Sequence, residues 1–292
     1  MSIVITGATG QLGRLIIADL LGAGVPAGGI TAVARSKEKA ADLVAQGIGL
    51  HVADYDEPES FTGAFRPEDR VLLISATDAG RRVPQHAAVI DAARATGVAQ
   101  LGYVSVFGGP EADFRLADDH RETERLIIAS GLPYTFLRNN WYSEMYAVNE
   151  IPGILAQEAI VTNVAPGSRI ATATRADYAA AAATVLREDG HLGRAYELSG
   201  DTAWTFEEFA EEVSRQSGRT IVHRSIDPAE RAAMLIGFGV PAPFAEVLVD
   251  VDDAISRGRL AGTPGDLSRL AGRPTTPIAD TIAQGLAAAQ TA

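Results

Sequence analysis

The chain has 292 residues, 47% of them hydrophobic, with 25 basic and 37 acidic side chains for a formal net charge of −12. That length and apolar content fit one large domain, or a domain with a smaller lobe, and exclude a chain too polar to fold. The acidic balance excludes nucleic acid and an anionic membrane surface as partners, and the absence of cysteine excludes disulfides, thiolate ligands and a cysteine nucleophile.

No basic segment precedes a long apolar one at the start, and no apolar run reaches bilayer length, so a cytoplasmic protein without a membrane partner is expected. Short apolar runs then alternate with helical patterns. Residues 3–6, 30–34, 50–53, 71–76, 101–106 and 134–138 read as strands, and their continuous hydrophobicity suits a parallel sheet covered on both faces. Residues 11–24, 36–47, 84–97 and 117–131 read as the intervening helices, each closing on glycine. After Asn140 the rhythm loosens: helices are expected at 174–189 and 205–218, strands at 195–200 and 220–226, and a helical tail beyond.

This alternation predicts a Rossmann-type doubly wound parallel α/β sheet with a smaller C-terminal α/β lobe. The expected domains are 1–146, binding a dinucleotide, and 147–292, covering the substrate, with 174–200 returning to the main sheet.

The chemistry starts at "ITGATGQLG", which sets Gly7, Gly10 and Gly13 between the first strand and first helix. The first glycine suits a tight turn, the second lets backbone approach a pyrophosphate, and the third lets helix and strand pack closely. At the end of the second strand an NAD site normally carries an acidic residue for the ribose 2′-hydroxyl. This chain has Arg35 there, with Ser36 and Lys37 beside it, which favours a 2′-phosphate and hence NADP(H).

Together with "HRETE", "LRNNWYSEMY", "ATRADYAAAAA" and "YELSGDTAWT", the loop resembles the NmrA-like atypical short-chain dehydrogenases, above all their type 2 NAD(P)H:quinone oxidoreductases. The resemblance implies cofactor contacts at Gly7, Ala8, Thr9, Gly10, Gln11, Leu12 and Gly13, with Arg35 on the 2′-phosphate. It implies others at Asp54 and Tyr55 near the adenine, at Ser75, Ala76 and Thr77, at Arg138, Asn139, Asn140, Trp141, Tyr142 and Ser143, and at Arg175. Phe107, Asn140, Trp141 and Tyr142 are the expected substrate contacts, with lobe packing the competing role for aromatics such as Trp141 and Tyr146.

Ordinary short-chain dehydrogenases carry a Tyr and, four residues on, a Lys that lowers its pKa; the matching positions here are Leu116 and His120. Ser105 alone is only a hydrogen-bond donor. His120 is read as a helix first-turn residue facing Glu124 at i,i+4, with a contact to the nicotinamide ribose left open, and His86 as a capping neighbour. Without the dyad, reduction of a ketone lacks its acid, whereas a quinone yields a weakly basic oxyanion that water can protonate. The expected function is therefore NADPH-dependent hydride transfer to quinones. The alternative is a non-catalytic NADP-binding sensor that docks to a partner protein, and an isoflavone-reductase-like enzyme is a weaker third. No metal-ligand spacing and no "GxSxG" elbow occur, and the oligomeric state is not assigned.

Overall fold

The computed structural model describes residues 2–76 and 80–291; Thr77, an expected cofactor contact, lies outside the described residues. In chain order the elements are β1 (Ser2–Thr6), α1 (Gln11–Gly22), β2 (Ile30–Ala34), α2 (Ala41–Ala45), β3 (Gly49–Val52), β4 (Asp69–Ile74), α3 (Arg82–Thr96), β5 (Gln100–Val106), α4 (Arg115–Ser130) and β6 (Tyr134–Asn139). There follow α5 (Ile151–Gln157), β7 (Ala159–Thr162), β8 (Arg169–Ile170), α6 (Arg175–Arg187), β9 (Arg194–Leu198), β10 (Trp204–Thr205), α7 (Phe206–Ser217), β11 (Val222–Ser225), α8 (Pro228–Gly237), α9 (Ala242–Ser256), α10 (Asp266–Ala271) and α11 (Ile278–Thr291).

The chain forms two compact units, one of residues 1–109, 119–139 and 175–197, the other of 110–118, 140–174 and 198–292. The change of unit thus falls after Asn139 rather than after Tyr146, and 110–118 departs from the first unit in mid-domain.

In the first unit seven strands run in the order β3-β2-β1-β4-β5-β6-β9. Pairing is parallel throughout β3 to β6. Between β6 and β9 the hydrogen bonds Gly193 N–H to Tyr134 O and Asn140 N–H to Leu198 O climb both strands together, so this pair is parallel too. Every residue of β5 is buried, which is why its run is apolar without alternation. On one face α1 presents Leu12, Ile16, Ile17 and Leu20 and packs on α6. There the run Ala179 to Ala183 keeps the side chains small enough for two helix backbones to approach. On the other face Val89, Ile90 and Ala93 of α3 join Val71, Leu73, Tyr103 and Phe136 in one core.

The order reverses between β1 and β4, and an open α/β sheet binds ligands beyond the carboxyl ends of its strands at such a point. The helix expected over 36–47 is shorter and irregular: a 3₁₀ turn at Glu38–Ala40 precedes the short α2. The Ser36 hydroxyl accepts the Lys39 N–H at 3.3 Å, a local bond that competes with the helical ladder.

The second unit holds two small sheets, β8 antiparallel to β10 and β7 parallel to β11. Tyr146, Trp204, Phe206 and Phe209 stack edge-to-face or offset at its centre, so Tyr146 is core. The segment Met145–Asn149 is π-helical and packs on α11. Strands β8 and β10 are too short for any periodicity to announce. Among the described residues, no helix is long and apolar enough to cross a membrane.

Candidate functional site

At the switch point the chain leaves β1 into a turn that Gly7 makes with φ +63°, and Gly10 N–H closes it on Gly7 O at 3.0 Å. A Cβ at Gly13 would stand 2.6 Å from Gly7 O and 2.8 Å from Ala8 Cα, so the first helical turn lies directly on the loop. A Cβ at Gly10 would meet only Gly7 O, at 3.2 Å, and would otherwise project into open space. Helix α1 then starts without a side-chain cap and without acidic residues in its first turn. Its leading N–H groups and positive dipole end are an anion site in waiting.

Arg14, which the sequence did not single out, ties this loop down. Its guanidinium donates to Thr9 O at 3.1 Å and Lys39 O at 2.7 Å and pairs with Asp42, fastening the loop to the segment after β2. Arg35 is exposed just past the end of β2. The neighbouring Ser36 hydroxyl donates to Glu38 at 2.6 Å, and that bond, first among its causes, lowers the Glu38 carboxyl below its usual range.

Asp54 accepts the Asp56 N–H at 3.1 Å in a tight turn. Tyr55 reaches inward: its hydroxyl donates to Thr6 Oγ1 at 2.6 Å and lies 3.1 Å from Ile74 O, and burial pushes its phenol up to about 12. It bolts the ends of β1 and β4 together. Ile74 Cβ would lie 3.5 Å from a Cβ on Gly7, so Ser75 and Ala76 continue beside the glycine turn.

Two expectations change on the α4 side. His120 lies past the first turn and is 6% exposed; its Nδ1 is 2.7 Å from the Tyr103 hydroxyl, which takes the place of the expected pairing with Glu124. Burial first, then the Arg82 charge, holds the ring well below the usual histidine range. Glu124 instead accepts Ser105 Oγ–H at 2.6 Å and a bidentate pair from Arg138, at 3.0 and 2.7 Å. Ser105 therefore donates its hydroxyl hydrogen bond to a carboxylate, and the Arg138 guanidinium also pairs with Glu197 at 2.9 Å. Gly109 lies over that guanidinium so closely that a Cβ would be 2.2 Å from Arg138 Cζ, and Glu197 accepts Gly108 N–H at 2.8 Å. The network fixes the backbone just after Phe107, a side chain 9% exposed. His86 is no capping neighbour: it is fully buried and bonded on both ring nitrogens.

Asn139, at the carboxyl end of β6, keeps its side-chain oxygen buried without a hydrogen-bond partner, an acceptor awaiting a donor. In the second unit Asn140 is buried, donating to Leu260 O at 3.0 Å and accepting Trp141 N–H at 2.8 Å, so it shapes the backbone there. The Ser143 hydroxyl donates to Thr172 Oγ1 at 2.8 Å. Trp141 and Tyr142 are partly exposed, and Arg175, in the first unit, opens α6 partly exposed.

The glycine cradle, the uncapped helix, the exposed Arg35 and the orphaned Asn139 oxygen fit a dinucleotide phosphate carrier. Among the described residues, no group of three or more His, Cys, Asp or Glu could hold a metal.

Comparison with known proteins agrees. A family model described as NAD(P)H-binding matches residues 7–189. The sequence is 44% identical to quinone oxidoreductase 2 of Escherichia coli (strain K12) over 280 residues, 96% of this chain and 97% of that protein. The solved NADPH-dependent quinone oxidoreductase from Escherichia coli, complexed with NADPH, superposes with a TM-score of 0.93 at 43% identity, covering 97% of this chain and 99% of that one. A triphenylmethane reductase from Citrobacter sp., complexed with NADP(H), reaches a TM-score of 0.91 at 40% identity over 97% of this chain and all of that one.

Proposed function

The chain belongs to the NAD(P)H-binding family, and on that premise we propose that it is an NADPH-dependent quinone oxidoreductase, working in the cytoplasm, that reduces quinones by two electrons to quinols. The observation that carries this reading is the state of the groups near the former dyad position. His120 is buried and neutral, Tyr103 is held protonated by burial, and Ser105 donates to Glu124. All three are buried and bonded within the protein, so none of them offers a proton to a strongly basic alkoxide.

NADPH, when bound, supplies the hydride. The loop Gly7–Gly13 and the start of α1 would hold its pyrophosphate and Arg35 its 2′-phosphate, and Asn139 Oδ1 would be free to accept an N–H from it. Trp141 and Tyr142, both partly buried, are aromatic side chains of the kind that packs against a planar substrate. The quinone oxyanion delocalises its charge and takes its proton from water, so positioning and exclusion of competing reactions are what the protein contributes. NADPH consumption with a panel of benzoquinones, against a no-quinone control and a simple ketone, tests the reading. Turnover with quinones and none with the ketone is expected; no quinone-dependent oxidation would overturn it.

A further inference from the structure

The peptide of Ala76 is gripped from both sides. Its N–H donates to His86 Nε2 at 3.0 Å, and its carbonyl accepts from Arg82 Nε at 2.7 Å. Both gripping side chains are buried, at 0% and 6% exposure, and both are anchored on α4. His86 Nδ1 is 2.9 Å from Thr123 Oγ1, whose own proton goes to Asp119 O at 2.8 Å, and Arg82 Nη1 pairs with Asp119 at 3.1 Å.

The proton order is fixed by these partners. Nε2 must accept, so Nδ1 carries the hydrogen and donates to Thr123, which passes its own to the Asp119 carbonyl. The His86 ring also stands edge-on to Tyr103 at 5.4 Å, wedging it between α3 and β5. Ala76 is two residues beyond Ile74, the last residue of β4, which lies against Gly7 at the sheet edge where an open α/β sheet receives its ligand.

We propose that His86 is a positioning residue for the dinucleotide: with Arg82 it clamps the Ala76 peptide, so the backbone of Ser75 and Ala76 is already ordered when it meets the cofactor. The proposal rests on the NADPH-binding reading above. A single buried tautomer holds one peptide plane without itself touching the ligand, and removing it leaves both a loosened loop and an unpaired N–H.

The test is NADPH affinity by calorimetry in the full chain, alongside kcat at saturating NADPH. His86→Phe keeps the ring and removes the acceptor; it should raise the NADPH Kd about tenfold, the scale of one lost buried hydrogen bond, while kcat changes less than about threefold. His86→Gln, whose amide oxygen can take the Ala76 N–H, should return Kd to within about threefold of the parent, a rescue that mere core filling does not give. Should His86→Phe fail to fold, the near-isosteric Thr123→Val decides: a raised Kd supports the clamp and an unchanged one overturns it. Parent-like binding by His86→Phe, or no rescue by His86→Gln, overturns the clamp alone. A parent chain that does not bind NADPH overturns the functional reading with it.

Discussion

Nδ1 of His120 lies 2.7 Å from the hydroxyl of Tyr103, and the two side chains are 6% and 0% exposed. The pair is a buried neutral hydrogen bond between α4 and β5, and its energetic value is structural. His120→Ala should therefore lower kcat for a reactive quinone by less than about tenfold, where a general acid contributes about 10²–10⁴-fold. The kcat–pH profile should also lack an inflection near the ordinary histidine pKa. A thousandfold loss in a folded, NADPH-binding variant would make His120 the catalyst.

The two buried histidines set a stability slope. Burial first, then the Arg82 charge, pushes His86 down to about 3, and His120 is lowered for the same reasons. Each binds fewer protons folded than unfolded, so its contribution is fully present above the unfolded pKa of about 6.5 and declines as pH falls below it. In the second unit burial pushes Glu150 up to about 7 and Asp252 up to about 6, which acts in the opposite sense: stability declines as pH rises through those values. Denaturant unfolding of parent and His86→Gln between pH 4 and 8 separates them. The parent should lose stability relative to His86→Gln as pH falls below about 6.5, by at most about 1.4 kcal/mol per pH unit.

The glycine loop separates binding from folding. A side chain at Gly10 meets a single carbonyl oxygen at 3.2 Å, so Gly10→Val should melt near the parent and fail to bind NADPH. At Gly13 a Cβ would penetrate the backbone of Gly7 and Ala8, and Gly13→Ala should lose several degrees of Tm as well. Thermal melting with and without NADPH checks both; a Gly10 variant that binds normally would misplace the pyrophosphate.

Cofactor preference follows from Arg35 and its neighbour. Arg35→Ala should weaken NADPH by about 1.5–3 kcal/mol, the scale of a hydrogen bond to a charged group, and leave NADH nearly unchanged. Glu38 holds the Ser36 hydroxyl and brings a negative charge to the same segment. Glu38→Gln should thus sharpen the preference for NADPH, with the gain fading at high salt. Equal parent affinity for the two cofactors by calorimetry would remove the assignment.

Glu124 is the hinge of the Ser105–Arg138 network, 4% exposed and bonded to both. Glu124→Gln leaves the half-buried Arg138 cation with Glu197 alone and should destabilise the fold by about 3 kcal/mol, as breaking a buried pair does. Glu197→Gln, at a carboxylate 29% exposed, should be milder. Urea unfolding orders the two; the reverse order would mean the network is held from its exposed end.

The sequence by itself determined the sheet, the turn and the cofactor class. Burial on both faces writes itself as unbroken apolar runs, and β2 fell on its expected residues 30–34. A glycine that must turn at φ +63° and another with no room for a Cβ leave a local mark that needs no partner to be read. What only the tertiary structure decided is which polar side chains are still available. Arg138, Asn140, Ser105 and both α-helical histidines carry reactive groups in the sequence, yet their partners lie 14 residues away for Glu124 and Arg138 and 120 for Asn140 and Leu260. No local pattern encodes a bond across such a separation. Long-range packing gives these side chains partners inside the fold and leaves Asn139 Oδ1 without one.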